Sequence, residues 1–468
     1  MDIILLAESA VKDAISKGCD EAEVFIKTAK RLSVEVKNNG VEALNSAKDF
    51  GISLRAIKNH RLGFSFTTNS AELEDMIKEA VEGAKWTAED KYIEVPNPPF
   101  TQHFHRSAGF NKGGLGGIAS SDVLVFDEKI KNIKEDDIIN NALFLEKAAL
   151  DFDSRIKKVR KAEVSIAEGS TAIFNSKGIN ISYESSFVTA AVTTLADDGH
   201  DMQTGWDFAV SRRLSDINFS SIAAAASKKA IDLLGSRKIT SVKVPVILDS
   251  SVASDFLGIF SSSLSAEAVQ KKRSFLANKI GKNIISPIVN IFDDGLMPWR
   301  IGTKPVDDEG VPTSKKMIVS KGALTGFIHN TYTAKKEGTV STGNAVRGGF
   351  KSLPGVGVMN LYIEAEESEK YEVGSEKDNK LIKSLSKGIL VLEAMGVHTA
   401  NPISGDFSVG ISGLWIENGE IKYPVKEAVI SGNVLELFKR IERVGSDLKF
   451  YGKIGSPSLL IGEMDISA

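Results

Sequence analysis

The sequence is poor in cysteine and in long apolar runs. Cys19 is its only cysteine among 468 residues, so the chain can form neither an internal disulfide nor a Cys-x-x-Cys zinc or redox site. Such cysteine usage is typical of a reducing compartment, and we expect a cytoplasmic protein. The first residues carry charges that a signal peptide lacks. No stretch approaches the ~18–20 uncharged apolar residues of a membrane span.

The chain also lacks a surplus of either charge. It has 58 Lys and Arg residues against 61 Asp and Glu residues, a formal net charge of -3. A balanced chain has no net attraction for a polyanion, so neither nucleic acid nor an anionic membrane is an expected partner. The length predicts two or three domains, and 42% hydrophobic residues are enough to give each domain a core.

Hydrophobic periodicity and turn signals predict an α+β fold. Apolar residues at helical spacing predict a helix over 3–17, and short β-branched runs separated by Asn-Gly-type turns predict strands after it. A proline- and glycine-rich stretch then interrupts the pattern. The predicted organisation is an amino-terminal unit of helix, antiparallel sheet and helix at 1–93, a linker at 94–120, a second α/β unit at 121–238 and a large sheet-rich domain at 239–468.

Within the carboxy-terminal domain we expect a strand at 244–248, followed by a helix from about 250 to 268. Leucines and isoleucines at helical spacing predict a further helix over 376–395, and a shorter stripe predicts another over 432–444. Lys-Gly and Asn-Gly dipeptides mark hairpin turns between short strands.

Three stretches rich in glycine, hydroxyl and acidic residues stand out in this domain. They read Val-Asp-Asp-Glu-Gly-Val-Pro-Thr at 306–313, Ser-Thr-Gly-Asn-Ala-Val-Arg-Gly at 341–348 and Gly-Asp-Phe-Ser-Val-Gly at 405–410. In this order they resemble the TldD/PmbA family of two-subunit peptidases, also called modulators of DNA gyrase. The resemblance covers most of 240–468.

Active members of that family carry a zinc-binding His-Glu-x-x-x-His helix and a late cysteine ligand. The matching segment at 255–264 reads Asp-Phe-Leu-Gly-Ile-Phe-Ser-Ser-Ser-Leu, and no cysteine follows Cys19. The chain therefore resembles the PmbA/TldE branch. This implies a metal-free, non-catalytic chain, with zinc supplied by a TldD-like partner in a heterodimer, although a homodimer remains open.

The resemblance also implies a groove for extended or unfolded peptide. The loop from His398 to Asp406 follows a predicted helix and precedes a predicted strand, a position where functional groups concentrate. We expect it to hydrogen-bond an extended peptide in the manner of strand addition. The predicted peptide-binding residues are Arg347, His398, Asn401, Ser404 and Asp406.

Other functions are weaker alternatives. A stand-alone hydrolase could use Ser404, Asp406 and His398 as a nucleophilic triad, but these residues are very close in sequence and lack a glycine elbow. The acidic run 307–309 could bind a hard cation or form a charged turn. The His-x-His pair at 103–105 and the glycines at 113–117 are expected to belong to the linker. A role in regulating gyrase is implied only by the family's second name.

Overall fold

The computed structural model describes residues 2–98, 123–365 and 379–467. Most of the predicted linker therefore lies outside the described residues, as do the His-x-His pair and the glycines at 113–117. The described part is a mixture of helices and sheets, which confirms the predicted α+β class.

One six-stranded antiparallel sheet holds the strands of both predicted amino-terminal units, in the order β3-β2-β1-β4-β5-β6. The first unit supplies three strands and the second supplies three, and they meet where β1 pairs with β4. The strands are β1 Glu21–Lys37, β2 Gly40–Lys58, β3 Arg61–Thr67, β4 Ile156–Asn175, β5 Asn180–Asp197 and β6 Met202–Ser211.

Helices cover one face of this amino-terminal sheet. Asp2 caps the first helix by accepting hydrogen bonds from the amides of Ile4 and Leu5, and the buried alanine-rich stripe of that helix packs on β1 and its neighbours. The third and fourth helices cover the other half of the sheet. These helices are α1 Ile3–Ser16, α2 Leu73–Gly83, α3 Glu135–Leu150 and α4 Phe219–Asp232.

Two further six-stranded sheets form the carboxy-terminal domain. The first has the order β10-β9-β8-β13-β19-β18 and the second the order β16-β15-β14-β7-β20-β17. Their strands, with the short pair β11–β12, are β7 Val242–Leu248, β8 Ile291–Asp294, β9 Lys315–Ser320, β10 Ala323–Leu324, β11 Ala345–Val346, β12 Gly355–Val356, β13 Leu361–Ile363, β14 Lys387–Met395, β15 Asp406–Glu417, β16 Glu420–Asn433, β17 Ile441–Val444, β18 Lys449–Tyr451, β19 Ile454–Ser456 and β20 Leu459–Ser467.

The main core of this domain lies between the two sheets and contains buried residues of three of its helices. Its helices are α5 Ser250–Ser262, α6 Ala266–Gln270, α7 Thr331–Glu337, α8 Asn379–Lys383 and α9 Val434–Lys439. The predicted helix at 250–268 is thus interrupted, since α5 and α6 are separate. The predicted helix at 432–444 is α9 followed by strand β17.

The predicted helix over 376–395 is wrong for most of its length. Residues 387–395 form strand β14, which pairs parallel with β7 and antiparallel with β15. A strand that is paired on both sides and covered on both faces can be apolar at nearly every position, and such a run also satisfies a helical stripe.

In the part of the chain that the structure describes, no helix is both long and apolar enough to cross a membrane.

Candidate functional site

A groove of about 560 Å³ lies along the outer face of α5. Its walls come from α5 and from the segment that ends β14 and continues to the start of β15. The lining residues are Asp255, Gly258, Ile259, Ser262, Ala394, Gly396, Val397, His398, Ala400 and Pro402. We call this site the α5 groove.

Helical spacing explains why α5 presents these residues. Asp255, Gly258, Ile259 and Ser262 follow the i, i+3, i+4, i+7 pattern and so share one face of the helix. The opposite face is buried in the core, where the Phe256 ring packs edge-on against another phenylalanine at 4.8 Å between centroids. The helix is therefore fixed on one side and open to the groove on the other.

The N-terminus of α5 is fixed by capping and by contact with β18. Asp249 accepts a hydrogen bond from the amide of Ser251 at 2.9 Å, which satisfies one of the unpaired amides of the first turn. Ser250 and Tyr451 share a hydroxyl hydrogen bond of 3.2 Å. These contacts hold the helix against the sheet that carries β18 and β19.

Two carboxylates and one ammonium give this region its electrostatic character. Desolvation raises the pKa of Asp255 to about 6, and the charge of Lys229 on α4 opposes that shift. The pKa of Glu393 on β14 is also raised, again by desolvation and against Lys229. Among the described residues none of the three makes an ion pair within 4.0 Å. The ammonium of Lys229 lies over the ring of Trp206, 5.4 Å from the ring centroid.

The donors in the groove do not fit a zinc ion. Zinc in proteins takes about four nitrogen, sulfur or oxygen ligands, whereas α5 offers one carboxylate and the facing segment one imidazole. The described ranges contain no group of three or more His, Cys, Asp or Glu side chains placed to hold a metal. We therefore derive no metal chemistry from this chain.

Of the predicted peptide-binding residues, only His398 lines the groove. It is exposed within a short 3-10 turn at 397–399. It follows strand β14, so the predicted helix before the loop is not there. The position of His398 between the groove and solvent would let its imidazole contact a bound molecule.

Asn401, Ser404 and Asp406 shape the loop instead of lining the groove. The side chain of Asn401 accepts hydrogen bonds from the amides of Ile403 and Ser404. Ser404 donates its hydroxyl to Asp406 at 2.6 Å. Hydrogen bonds from Asn433 and then Ser404 hold the pKa of Asp406 below its ordinary value. Because the hydroxyl of Ser404 points to a carboxylate and not to an imidazole, no nucleophilic triad is formed.

Among the described strands, the start of β15 has a strand partner on one side only. From Asp406 to Val409 it pairs with β16 alone, because its pairing with β14 runs only from Gly410 to Glu417. Strand addition needs such an unpaired edge, so the binding of an extended peptide at this loop stays a prediction.

Arg347 lies in a buried charge cluster between the amino-terminal sheet and the carboxy-terminal domain. Its side chain is 1% exposed and pairs with Glu23 of β1. It also donates to the carbonyl oxygens of Asp308 and Ser352. In this structure the guanidinium is fully engaged, so it is not available to a peptide.

Arg55 completes this cluster. Its guanidinium binds both carboxylate oxygens of Glu23, at 2.9 and 2.6 Å, and lies 3.0 Å from a carboxylate oxygen of Glu309. Two arginines and two glutamates are thus interleaved with almost no exposure to solvent. We call Glu23, Arg55, Glu309 and Arg347 the interdomain clamp.

The acidic run 307–309 forms a charged turn, one of the two alternatives offered by the sequence, and this turn is buried beside the clamp. Burial, reinforced by the like charge of Glu309, raises the pKa of Asp307 to about 8. Burial also acts to raise the pKa of Asp308, but the ammonium of Lys304 outweighs it and holds that pKa below the ordinary value. The run has arginine, lysine and backbone partners in place of a cation.

Asp255 was not among the predicted peptide-binding residues, although the spacing 255, 258, 259 and 262 is visible in the sequence. Lys229 and Glu393 come from α4 and β14, so only the tertiary structure places them near α5.

The fold defines the chain as an α+β protein with one amino-terminal sheet and a carboxy-terminal domain of two large sheets. Three models of the PmbA/TldA metallopeptidase match the chain: domain 1 over 22–84, the central domain over 128–234 and the C-terminal domain over 241–468. The chain belongs to the PmbA/TldD metallopeptidase family.

Relatives match along nearly the whole chain. A metalloprotease PmbA homolog of Buchnera aphidicola is 29% identical, with 95% of this chain and 92% of the relative covered. Metalloprotease PmbA of Escherichia coli O157:H7 is 27% identical, with 99% and 96% covered.

Solved structures show the same fold. A candidate modulator of a DNA gyrase from Thermotoga maritima superposes with a TM-score of 0.86 at 26% identity, covering 99% of both chains. TldE from Thermococcus kodakarensis has a TM-score of 0.85 at 21% identity, covering 99% of this chain and 100% of TldE, and shows likeness of fold alone.

Proposed function

We propose that this chain is the PmbA/TldE-like, non-catalytic subunit of a two-chain peptidase. Its α5 groove would hold an extended peptide while a zinc-bearing TldD-like partner cleaves it, in proteolysis or peptide maturation. The observation that carries the proposal is the outer face of α5. The helix that follows β7 presents an aspartate, a glycine, an isoleucine and a serine to a 560 Å³ groove, not a set of metal ligands.

The lining of the groove suits a peptide. Ile259, Val397 and Pro402 offer apolar contacts, while Asp255, Ser262 and His398 offer hydrogen bonds, which is the mixture that small binding sites use. Gly258 widens the floor, because a side chain added there would meet no atom within 4 Å. We place the system in the cytoplasm, since one buried cysteine suits a reducing compartment.

The proposal predicts that zinc binding and peptide hydrolysis depend on the partner chain. The purified chain alone should bind well under one zinc per chain and should not hydrolyse an unstructured peptide. Mixed with a zinc-bearing TldD-like protein, it should support hydrolysis that a chelator abolishes. Near-stoichiometric zinc in the chain alone would contradict the proposal.

A groove variant tests where the peptide lies. Gly258→Trp would fill the groove from a position with free space, so the fold should survive. We expect it to slow hydrolysis by the two-chain mixture about tenfold, the loss of roughly 1.4 kcal/mol of binding. Lys12→Trp on the exposed side of α1 is the matched control and should leave the rate unchanged.

A stand-alone hydrolase is the second candidate, favoured by one observation. Asp255 has a pKa raised to about 6 and shares the groove with His398, and such a carboxyl can exchange protons near neutral pH. Peptide hydrolysis by the chain alone, insensitive to chelator and lost in Asp255→Asn, would favour this function over the first.

A further inference from the structure

Four basic residues converge beside the interdomain clamp, and neither the clamp nor the α5 groove uses them. They are Lys27 on β1, Arg212 directly after β6, Lys304 in the loop after β8 and Lys453 in the turn between β18 and β19. We call them the basic cluster. They come from both the amino-terminal sheet and the carboxy-terminal domain.

Strand geometry directs Lys27 toward the carboxy-terminal domain. Alternate residues of a strand share a face, so Lys27 is on the same face as Glu23 and Phe25. That face packs against Arg347, which pairs with Glu23 and lies over the Phe25 ring at 4.8 Å. Lys27 is nevertheless exposed.

The neighbouring strands put hydroxyl groups beside Lys27. In the sheet register Lys27 is opposite Thr171 on β4. Thr171 is in turn opposite Tyr183 on β5. The wall of the site next to Lys27 is therefore polar.

Arg212 ties this wall to the loop that carries Lys304. Its buried guanidinium donates hydrogen bonds to the carbonyl oxygens of Ile301 at 2.8 Å and Thr303 at 3.0 Å. Lys304 is the next residue along the chain. Lys453 is anchored through its carbonyl oxygen, which accepts the amide of Leu361 at 2.9 Å.

The four cations of the cluster outnumber the carboxylates that pair with them. Lys304 pairs with Asp308 at 2.5 Å, while Arg212 has only carbonyl and ring partners. Within the described ranges Lys27 and Lys453 make no hydrogen bond or ion pair with their ammonium groups. Asp293 also interacts electrostatically with Lys453. Its carboxylate is already paired with Lys316 and accepts a hydrogen bond from Asn344.

This imbalance has an electrostatic cost that a bound anion would relieve. Burial and then the charge of Lys304 lower the pKa of Lys453 to about 8. The same two causes lower the pKa of Lys27. Protein atoms around the two ammonium groups thus weaken their solvation, and the carboxylate of Asp308, which acts in the opposite direction on both pKa values, does not offset this loss. Uncompensated charge of this kind is typical of ligand sites.

We propose that the basic cluster binds a carboxylate of an acidic peptide, with Lys27 and Lys453 as its direct partners. A compact anion fits because Lys27 and Lys453 each lie near enough to Lys304 and Arg212 to interact with their charges. The chain as a whole carries a net charge of -3 and has no net attraction for a polyanion. The identity of the ligand as a peptide rests on the proposed function. The excess of positive charge does not.

Calorimetric titration of the full chain tests this inference without a partner protein. The ligands are two blocked, unstructured peptides that differ only in carrying Glu or Gln at two central positions. We expect the Glu peptide to bind at least tenfold more tightly, since hydrogen bonds to charged groups are the stronger class. Added salt should weaken only the Glu peptide.

Variants assign the binding to the cluster. Lys27→Gln and Lys453→Gln should each weaken the Glu peptide about tenfold and leave the Gln peptide unaffected. Lys48→Gln, at an exposed lysine of β2 with no ion pair, should bind like the parent. Thermal midpoints of the two cluster variants should equal or exceed the parent's, because each loses an uncompensated cation. Parent-like affinity in both variants would overturn the proposal.

Two further outcomes separate this inference from the proposed function. Equal binding of both peptides, lost in Gly258→Trp but not in Lys453→Gln, would overturn the carboxylate site and leave the α5 groove standing. Binding of inorganic phosphate, lost in Lys453→Gln, without binding of either peptide would show a site for a free oxyanion and would also overturn the proposal.

Discussion

The interdomain clamp and the α5 groove both contain charged side chains, but only in the clamp are these side chains joined in ion pairs. In the clamp, Glu23 is held by two arginines and is essentially buried. In the groove, Asp255 interacts electrostatically with Lys229 without an ion pair, as does Glu393, which precedes the lining residue Ala394. Buried charges that are fully paired contribute to one defined structure, whereas partly desolvated charges without partners are available to a ligand. The difference indicates that the clamp supports the fold and that the groove binds.

Breaking the clamp should have the largest effect. Glu23→Gln keeps the shape of the side chain but leaves Arg347 without its carboxylate and Arg55 with only Glu309. Removing one partner of a buried ion pair costs about 3–5 kcal/mol, so we expect a large fall in the thermal midpoint. Differential scanning calorimetry would measure it.

An exposed pair provides the control for this experiment. Glu82 at the end of α2 forms an exposed ion pair with Lys85, with 2.6 Å between the carboxylate oxygen and the ammonium nitrogen. Glu82→Gln should leave the thermal midpoint unchanged, because solvent screens such pairs. Equal effects of the two substitutions would mean that the buried ion pairs of the clamp contribute no more to stability than an exposed ion pair.

Two glycines, one against a packed helix and one in the open groove, allow the packed and open surfaces to be compared by substitution. Gly205 of β6 lies against α4, and a Cβ added there would come within 2.1 Å of the Ala226 carbonyl oxygen. Gly205→Ala should therefore destabilise the chain by about 1–3 kcal/mol, the usual cost of overpacking. Urea denaturation would measure the loss, and a parent-like midpoint would argue against this close approach of strand and helix.

The matching glycine in the groove should respond in the opposite direction. Gly258 lies within α5, where a Cβ meets no atom within 4 Å. Gly258→Ala should stabilise the chain by about 1 kcal/mol through helix propensity. The same urea experiment would show a higher midpoint, and a fall would mean that the groove is more closely packed than the structure indicates.

The smallest expected effect is a pH dependence at Asp255. Its pKa in the folded chain is raised from 3.8 to about 6, so the folded state binds a proton more tightly than the unfolded state does. The protonated Asp255 contributes its whole stabilising free energy below pH 4, and this contribution is lost as the pH rises toward 6. Asp255→Asn does not undergo this loss.

The difference in thermal midpoint between Asp255→Asn and the parent should therefore increase between pH 4 and 6 and stay constant above that range. The gain should be modest because Asp255 is exposed and water screens its charge. Asp153→Asn, at an exposed acid whose pKa is lowered by Arg155, should show no such rise. A flat difference for Asp255→Asn would mean that its pKa is not raised.

Local patterns predicted a good part of the fold. The stripe at 3–17 became α1, because a helix on the surface of a sheet needs only one apolar face. The apolar run at 387–395 was misleading, because residues buried on both sides carry no distinctive period. The division into amino-terminal units, together with the boundary at 94–120, remains a prediction, although strands from both units share one sheet.

The candidate site was less predictable than the fold. His398 lies in an exposed segment beside a groove, and a loop position is a signal that can be recognised in a sequence. Its role in peptide binding stays a prediction. Arg347 was expected in the same groove and lies in the clamp, because its partner Glu23 is more than 300 residues away in sequence. Long-range pairing of this kind has no local signal.

The sequence by itself determined which residue types were available: one cysteine, balanced charge, a segment at 255–264 without histidine, and motifs specific enough to indicate the family. Tertiary structure alone decided which charges are satisfied and which remain open. The reason is physical, because the energy of a charge depends on its distance to other charges and to water. Those distances exist only after strands and helices from distant parts of the chain have packed together.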